Sequence, residues 1–232
     1  MKIVIAGATG LVGQAVMRAA GDRSYETIAI GRRSSALASH NIDVDFRKLP
    51  DLPAADVAIC TLGTTIKKAG SKRAFRAVDY DAVMAFANAA KAAGIEHFIV
   101  VTAVGTNADS KVFYSSVKGL VERDLEALGF YRLDIVQPGL LIGERAEKRF
   151  VEEILQGAAP IIDFFMRGPW RRYASITAVQ LGEILLNLAE QKAPGAFRHT
   201  QANWSRYVNN PKHLEKARSA STKALQFTVP LY

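Results

Sequence analysis

The sequence predicts an α/β fold, a doubly wound parallel sheet with a small, mostly helical C-terminal lobe, and three observations predict it. The chain opens on a β-branched run, Lys2 to Ala6, that leads into glycines three apart at Gly7, Gly10 and Gly13. Val12, Ala15, Val16 and Ala19 then recur at the three- and four-residue offsets of an amphipathic helix. Five more strand-like runs follow with helical stretches between them, the alternation of a parallel sheet with helices on both faces. The 232 residues, 49% hydrophobic and 22% charged, have the composition of a soluble globular protein. That length suits one α/β domain and a small lobe.

Taken in order, the first strand and helix enclose a G-x-x-G-x-x-G turn, a variant of the G-x-G-x-x-G dinucleotide fingerprint. A strand-to-helix turn of this kind aims free N–H groups and the positive end of the helix at whatever lies above the strand, which suits a diphosphate. Gly7, Thr9, Gly10, Leu11, Val12 and Gly13 are the expected cradle. The second strand, Tyr25 to Ile30, ends in Gly31-Arg32-Arg33 where an acidic residue would hydrogen-bond an adenosine ribose. A guanidinium fork grips a 2′-phosphate, so Arg32 and Arg33 favour NADP(H) over NAD(H). Two solvated loop arginines are the alternative.

Strands are expected at Ile42 to Asp45 and Val57 to Thr61, then a long helix from Ser71 to the stop at Gly94. A fifth strand, His97 to Thr102, leads into KVFYSSVKGLVERDLEAL, a helix with Val117, Leu120, Val121, Leu125 and Leu128 inward. Leu133 to Gln137 is the sixth strand. Residues 1–143 thus form a nucleotide-binding domain. Residues 144–202 form the lobe, with helices at Arg145 to Gln156 and Thr177 to Gln191 and a Gly/Pro/aromatic loop, Arg167 to Tyr173, whose Trp170 and Tyr173 either line a pocket or belong to the core. Residues 203–232 show no period and are read as a tail.

Tyr114 and Lys118 stand four apart, on one face of their helix. A phenol is a poor acid or base at neutral pH, but a neighbouring ammonium favours its phenolate, and it can then exchange a proton with a carbonyl or alcohol as hydride moves. An ordinary surface Tyr/Lys pair is the alternative.

At this point the chain resembles the atypical short-chain dehydrogenases/reductases. The stretches CTLGTTIKKAGS, FRAVDYD, HFIVVTAVGTNADS, FYSSVKGLVE and QPGLLIGER look most like the Tat-interacting-protein branch. The resemblance implies a Rossmann fold binding NADP(H), with Tyr114 and Lys118 in the Y-x-x-x-K positions. It also implies Cys60, Leu62 and Gly63 along the cofactor, Asp45 and Phe46 near adenine, and Pro138 and Gly139 near the nicotinamide. Many relatives have a serine pair where this chain reads Thr102-Ala103, so Thr102 is the remaining candidate to orient a carbonyl. Asp79 falls where many relatives hold a proton-relay water with asparagine; otherwise it is a solvent-facing helix residue.

The remaining features exclude more than they assign. Cys60 is the one cysteine, which rules out an internal disulfide and reads as a packing residue. The four histidines lack ligand spacing, so no structural metal is expected. The formal charge is +8, and Lys67, Lys68, Lys72, Arg73 and Arg76 form a local cluster, either a solvated helix face or an attraction for a phosphate or carboxylate. No nucleic-acid motif accompanies that charge. No apolar run reaches the about eighteen residues of a membrane span, and no secretory leader is recognisable. A cytoplasmic protein is expected. The function expected is NADP(H)-dependent oxidation or reduction of a small carbonyl or alcohol substrate. The alternatives are a non-catalytic NADP(H) sensor that meets a protein partner and a sugar-nucleotide epimerase or dehydratase.

Overall fold

The structure, a computed structural model, describes residues 1–139, 141–142, 176–201 and 204. Strands β1 (Lys2–Ala6), β2 (Glu26–Gly31), β3 (His40–Asp43), β4 (Val57–Cys60), β5 (His97–Val101), β6 (Arg132–Val136) and β9 (Gly195–His199) form one parallel sheet in the order β3-β2-β1-β4-β5-β6-β9. Two short strands, β7 (Leu141–Ile142) and β8 (Ile176–Thr177), pair with each other. The central strands are buried on both faces, which explains their unbroken apolar composition.

Helices cover both faces. On one side α1 (Leu11–Asp22) and α6 (Ala178–Ala189) bury Val16, Met17, Leu181, Ile184 and Leu185 against Ile3, Ile5 and Ile99. Gly182 lets them touch: a Cβ there would lie 2.9 Å from the Ala15 carbonyl carbon. A capping box starts α6, the Thr177 hydroxyl accepting from the Gln180 N–H and the Gln180 side chain accepting from the Thr177 N–H. On the other side α4 (Ala82–Ala92) and α5 (Phe113–Ala127) bury Val83, Phe86, Val121 and Leu125 against Val4, Ala58 and Phe98.

The long helix expected from Ser71 is present but not regular. Ser71 caps α3 (Lys72–Arg76) by accepting from the Ala74 N–H at 3.1 Å; one π turn, Ala77–Asp81, then joins α3 to α4. Two short turns precede it, α2 (Ile66–Ala69) and the left-handed Gly70.

Three expectations change. The third strand lies two residues earlier than Ile42 to Asp45, because its partners on β2 run from Ile28↔His40 to Gly31↔Asp43. Register, not hydrophobicity, sets this exposed edge. The strand β9 was not foreseen. With it, the stretch 144–202, expected as a small lobe contiguous with the domain, contributes α6 and β9 to the layers of the main sheet: α6 packs on α1 and β9 pairs with β6. Trp204 is buried in that same core. The expected helix Arg145 to Gln156, the loop with Trp170 and Tyr173, and the rest of the tail lie outside the described residues.

A buried polar cluster ties β5, β6 and β9 together. Asp134, wholly buried, accepts from Arg132 Nε at 2.6 Å and sits 2.7 Å from both His97 Nε2 and His199 Nε2.

Candidate functional site

The glycine turn sits where β1, between β2 and β4, hands the chain to α1, at the carboxyl ends of the strands. Gly7 has φ +90°, and a Cβ on it would fall 2.7 Å from the Thr61 carbonyl carbon, so only glycine fits. A Cβ on Gly13 would overlap the Gly7 carbonyl oxygen. Gly10, the N-cap of α1, has no side chain to accept from the first turn. The amides of Leu11, Val12 and Gly13 are therefore open to an external anion. This is the fit a diphosphate requires.

Beside the turn is a cleft lined by Gly7, Ala8 and Thr9 from the first loop, Ile30 to Arg33 from the end of β2, and Phe46 and Leu62. Arg33 Nη2 reaches to 3.4 Å from the Thr9 hydroxyl, and Arg32 and Arg33 are otherwise exposed to the cleft and solvent. Asp45 and Cys60, which the resemblance puts near the cofactor, are not among the residues lining this cleft. The Asp45 carboxylate turns to Arg47, 2.6 Å away, whose hydrogen bonds lower its pKa to about 2. Cys60 is wholly buried opposite Ala6, and burial pushes its thiol up to about 12. Its side chain packs in the core, not along the cleft. Pro138 and Gly139 follow β6, with the Pro138 carbonyl accepting from the Val104 N–H at 3.0 Å.

The second half of the site is on α5. Lys118 is buried and pairs with Asp79 Oδ1 at 2.8 Å. Asp79 is itself wholly buried and its Oδ2 accepts from the Thr64 N–H at 2.9 Å, so the solvent-facing reading of this residue is corrected. The π turn carries it inward. Burial raises the Asp79 carboxyl, against the Lys118 ammonium and the Thr64 amide, which lower it. Tyr114 packs its ring on Phe75, centroids 5.6 Å apart. Burial raises its phenol, Lys118 lowers it and Asp79 raises it.

The two halves meet at the loop after β4. Thr61 closes on Gly7, while the Cα of Gly63 faces the ion pair so closely that a Cβ there would be 3.5 Å from Asp79 Oδ1 and 3.7 Å from Lys118 Nζ. Sequence reasoning placed Gly63 on the cofactor and missed this second contact.

Thr102 is buried at the end of β5. Its hydroxyl donates to Glu122 Oε1 at 2.6 Å, in a buried cluster where Thr106 and Gln137 also donate to Glu122. Its proton is therefore committed. The basic residues of α2 and α3 are exposed, with Lys72 5.3 Å over the Phe113 ring and Arg76 4.4 Å over Tyr80.

Comparison with known proteins fits this geometry. The HIM1 family model matches residues 30–163. Protein FMP52-2, mitochondrial, of Scheffersomyces stipitis is 33% identical over 204 residues, 82% of this chain and 87% of that protein. Protein HTATIP2 of Rattus norvegicus is 37% identical over 160 residues, 64% of this chain and 66% of that one. Among solved structures, MoeE5 in complex with UDP-glucose and NAD superposes with a TM-score of 0.64 at 14% identity, covering 86% of this chain and 76% of that one. Human epimerase family protein SDR39U1 with NADPH gives 0.57 at 17%, covering 89% and 78%. Those two likenesses establish the fold. The cytoplasmic expectation is overturned by the FMP52 relatives, from Scheffersomyces stipitis, Meyerozyma guilliermondii and Candida albicans, all named as mitochondrial proteins. A Rossmann-type sheet, a glycine turn with an uncapped helix, and a family model that matches more than half of its length define the lineage: the chain belongs to the HIM1 family and is similar to FMP52 and HTATIP2.

Proposed function

We propose that this protein is an NADP(H)-dependent oxidoreductase acting on a small carbonyl or alcohol substrate, with Tyr114 as proton donor and Lys118 beside it. The observation that carries the reading is the loop Thr61 to Gly63, which contacts the glycine turn at one end and the Asp79–Lys118 pair at the other. A diphosphate on the first-turn amides of α1 thus has its continuation next to Lys118. Arg32 and Arg33 are the groups to hold a 2′-phosphate in the cleft, and the NADPH of the SDR39U1 structure supports the same cofactor class. When bound, the nicotinamide supplies the hydride. Tyr114 gives its phenolic proton to the carbonyl oxygen as charge develops there, and Lys118 stabilises the phenolate that remains.

The test is NADPH oxidation across a panel of aldehydes and ketones, with Tyr114→Phe alongside. Loss of a general acid costs about 10²- to 10⁴-fold in kcat. Equal rates in both proteins would remove the mechanism.

A second reading is favoured by one observation, the commitment of the Thr102 proton to Glu122 with Ala103 next to it, which leaves no hydroxyl donor of the expected serine pair for a carbonyl. On that reading the protein binds NADP(H) without turnover and passes the bound state to a protein partner. Calorimetric uptake of NADPH with no turnover of any panel member, and no change on Tyr114→Phe, selects it.

A further inference from the structure

The buried pair of Asp79 and Lys118 is unusual in its surroundings. A lysine that acts on a neighbouring phenol works best as a bare ammonium, yet here a wholly buried carboxylate sits 2.8 Å from it. The carboxylate is held by more than the lysine. Its second oxygen accepts from the Thr64 N–H, and its backbone belongs to the single π turn between α3 and α4, a device that re-aims side chains and occurs often at functional sites. Gly63 lies against the pair, a Cβ on it coming within 3.5 Å of Asp79 Oδ1 and 3.7 Å of Lys118 Nζ.

We propose that Asp79 is a positioning residue that fixes the Lys118 ammonium below Tyr114 and offsets part of its charge, so that Tyr114 rests as a phenol ready to donate its proton.

The inference rests on Tyr114 being the proton donor of the reaction proposed above. The charged groups acting on the Tyr114 phenol among the described residues are Lys118, from one turn further along α5, and Asp79, from the π turn; Phe75 on α3 presents only its ring. Cys60 on β4 lies near the pair but its thiol stays neutral, with its pKa raised to about 12. Removing the Asp79 charge while keeping its shape therefore leaves the ammonium unopposed. A phenol next to an unopposed cation titrates lower, by about one pH unit or more.

The decisive experiment follows the Tyr114 ring by NMR in protein with isotope-labelled tyrosine, assigned by Tyr114→Phe, without any nucleotide. In Asp79→Asn the Tyr114 titration should move to lower pH; a midpoint that stays or rises overturns the proposal. If Asp79→Asn does not fold, Asp79→Asn/Lys118→Met removes both buried charges. Tyr114 should then titrate above wild type by less than about one unit, because the lysine removed was already partly neutralised. A larger rise, the response to loss of a bare ammonium, overturns it. Where turnover is measurable, the alkaline limb of the reduction rate in Asp79→Asn should move to lower pH, since reduction requires the protonated phenol. Absence of turnover would bear on the proposed reaction and leave the Tyr114 titration readable.

Discussion

Asp134 is buried among two histidines and an arginine on three adjacent strands. Burial alone would raise its carboxyl; hydrogen bonds from His199, His97 and Arg132 overcome this and hold it well below the usual carboxylate range. Replacing it by asparagine leaves Arg132 buried without its counter-charge, a loss of about 3–5 kcal/mol that urea unfolding would register. The sign with pH follows. A carboxylate depressed in the folded state contributes stability that is complete above its unfolded pKa of about 3.9 and is lost as pH falls toward the folded value. Stability measured from about pH 6 to about pH 3 should fall less steeply in Asp134→Asn than in wild type; parallel curves would refute the assignment. None of this cluster is legible in sequence, since only the sheet register brings His97, Asp134 and His199 together. The Tyr114 and Lys118 pair was legible, because a spacing of four on one helix needs no long-range contact to be meaningful. Asp79 was legible as a position and not as a partner, for a regular helical period puts it on the solvent side.

Elements were read where composition alone determines them. Central strands such as Val57–Cys60 and His97–Val101 are buried on both faces and must be apolar throughout, so their runs stand out. The edge strand Gly195–His199 has exposed glycine, alanine and arginine and owes its existence to pairing with β6, which no local pattern announces. Helix α6 was recognisable by its period, but its seat on α1 depends on the missing side chain at Gly182. Gly182→Val should force α1 and α6 apart and cost about 1–3 kcal/mol. Differential scanning calorimetry should show a fall in Tm of about 2–4 °C for each kcal/mol lost. An unchanged Tm would mean that the two helices are not bound by this contact.

At the scale of the molecule, the fold class and the nucleotide end of the sheet were legible because the strand, glycine turn and helix are contiguous in sequence. Cellular location was not, because a destination is not encoded in the packing of a sheet. A nucleotide bound to the folded state alone raises stability by about 2.7 kcal/mol at a hundredfold excess over Kd. Saturating NADPH should accordingly raise Tm by about 5–10 °C. Arg33→Ala should lower that gain for NADPH and leave the response to NADH unaltered; equal losses for both coenzymes would remove the 2′-phosphate assignment from the cleft. The π turn at Ala77–Asp81 has a consequence for how this chain tolerates changes in length. Successive residues of a helix are about 100° apart around its axis. A one-residue deletion there would leave a smoother rod whose acidic group swings out to water, so shortening this stretch should part Asp79 from Lys118, and with it silence the proposed chemistry, while sparing the scaffold.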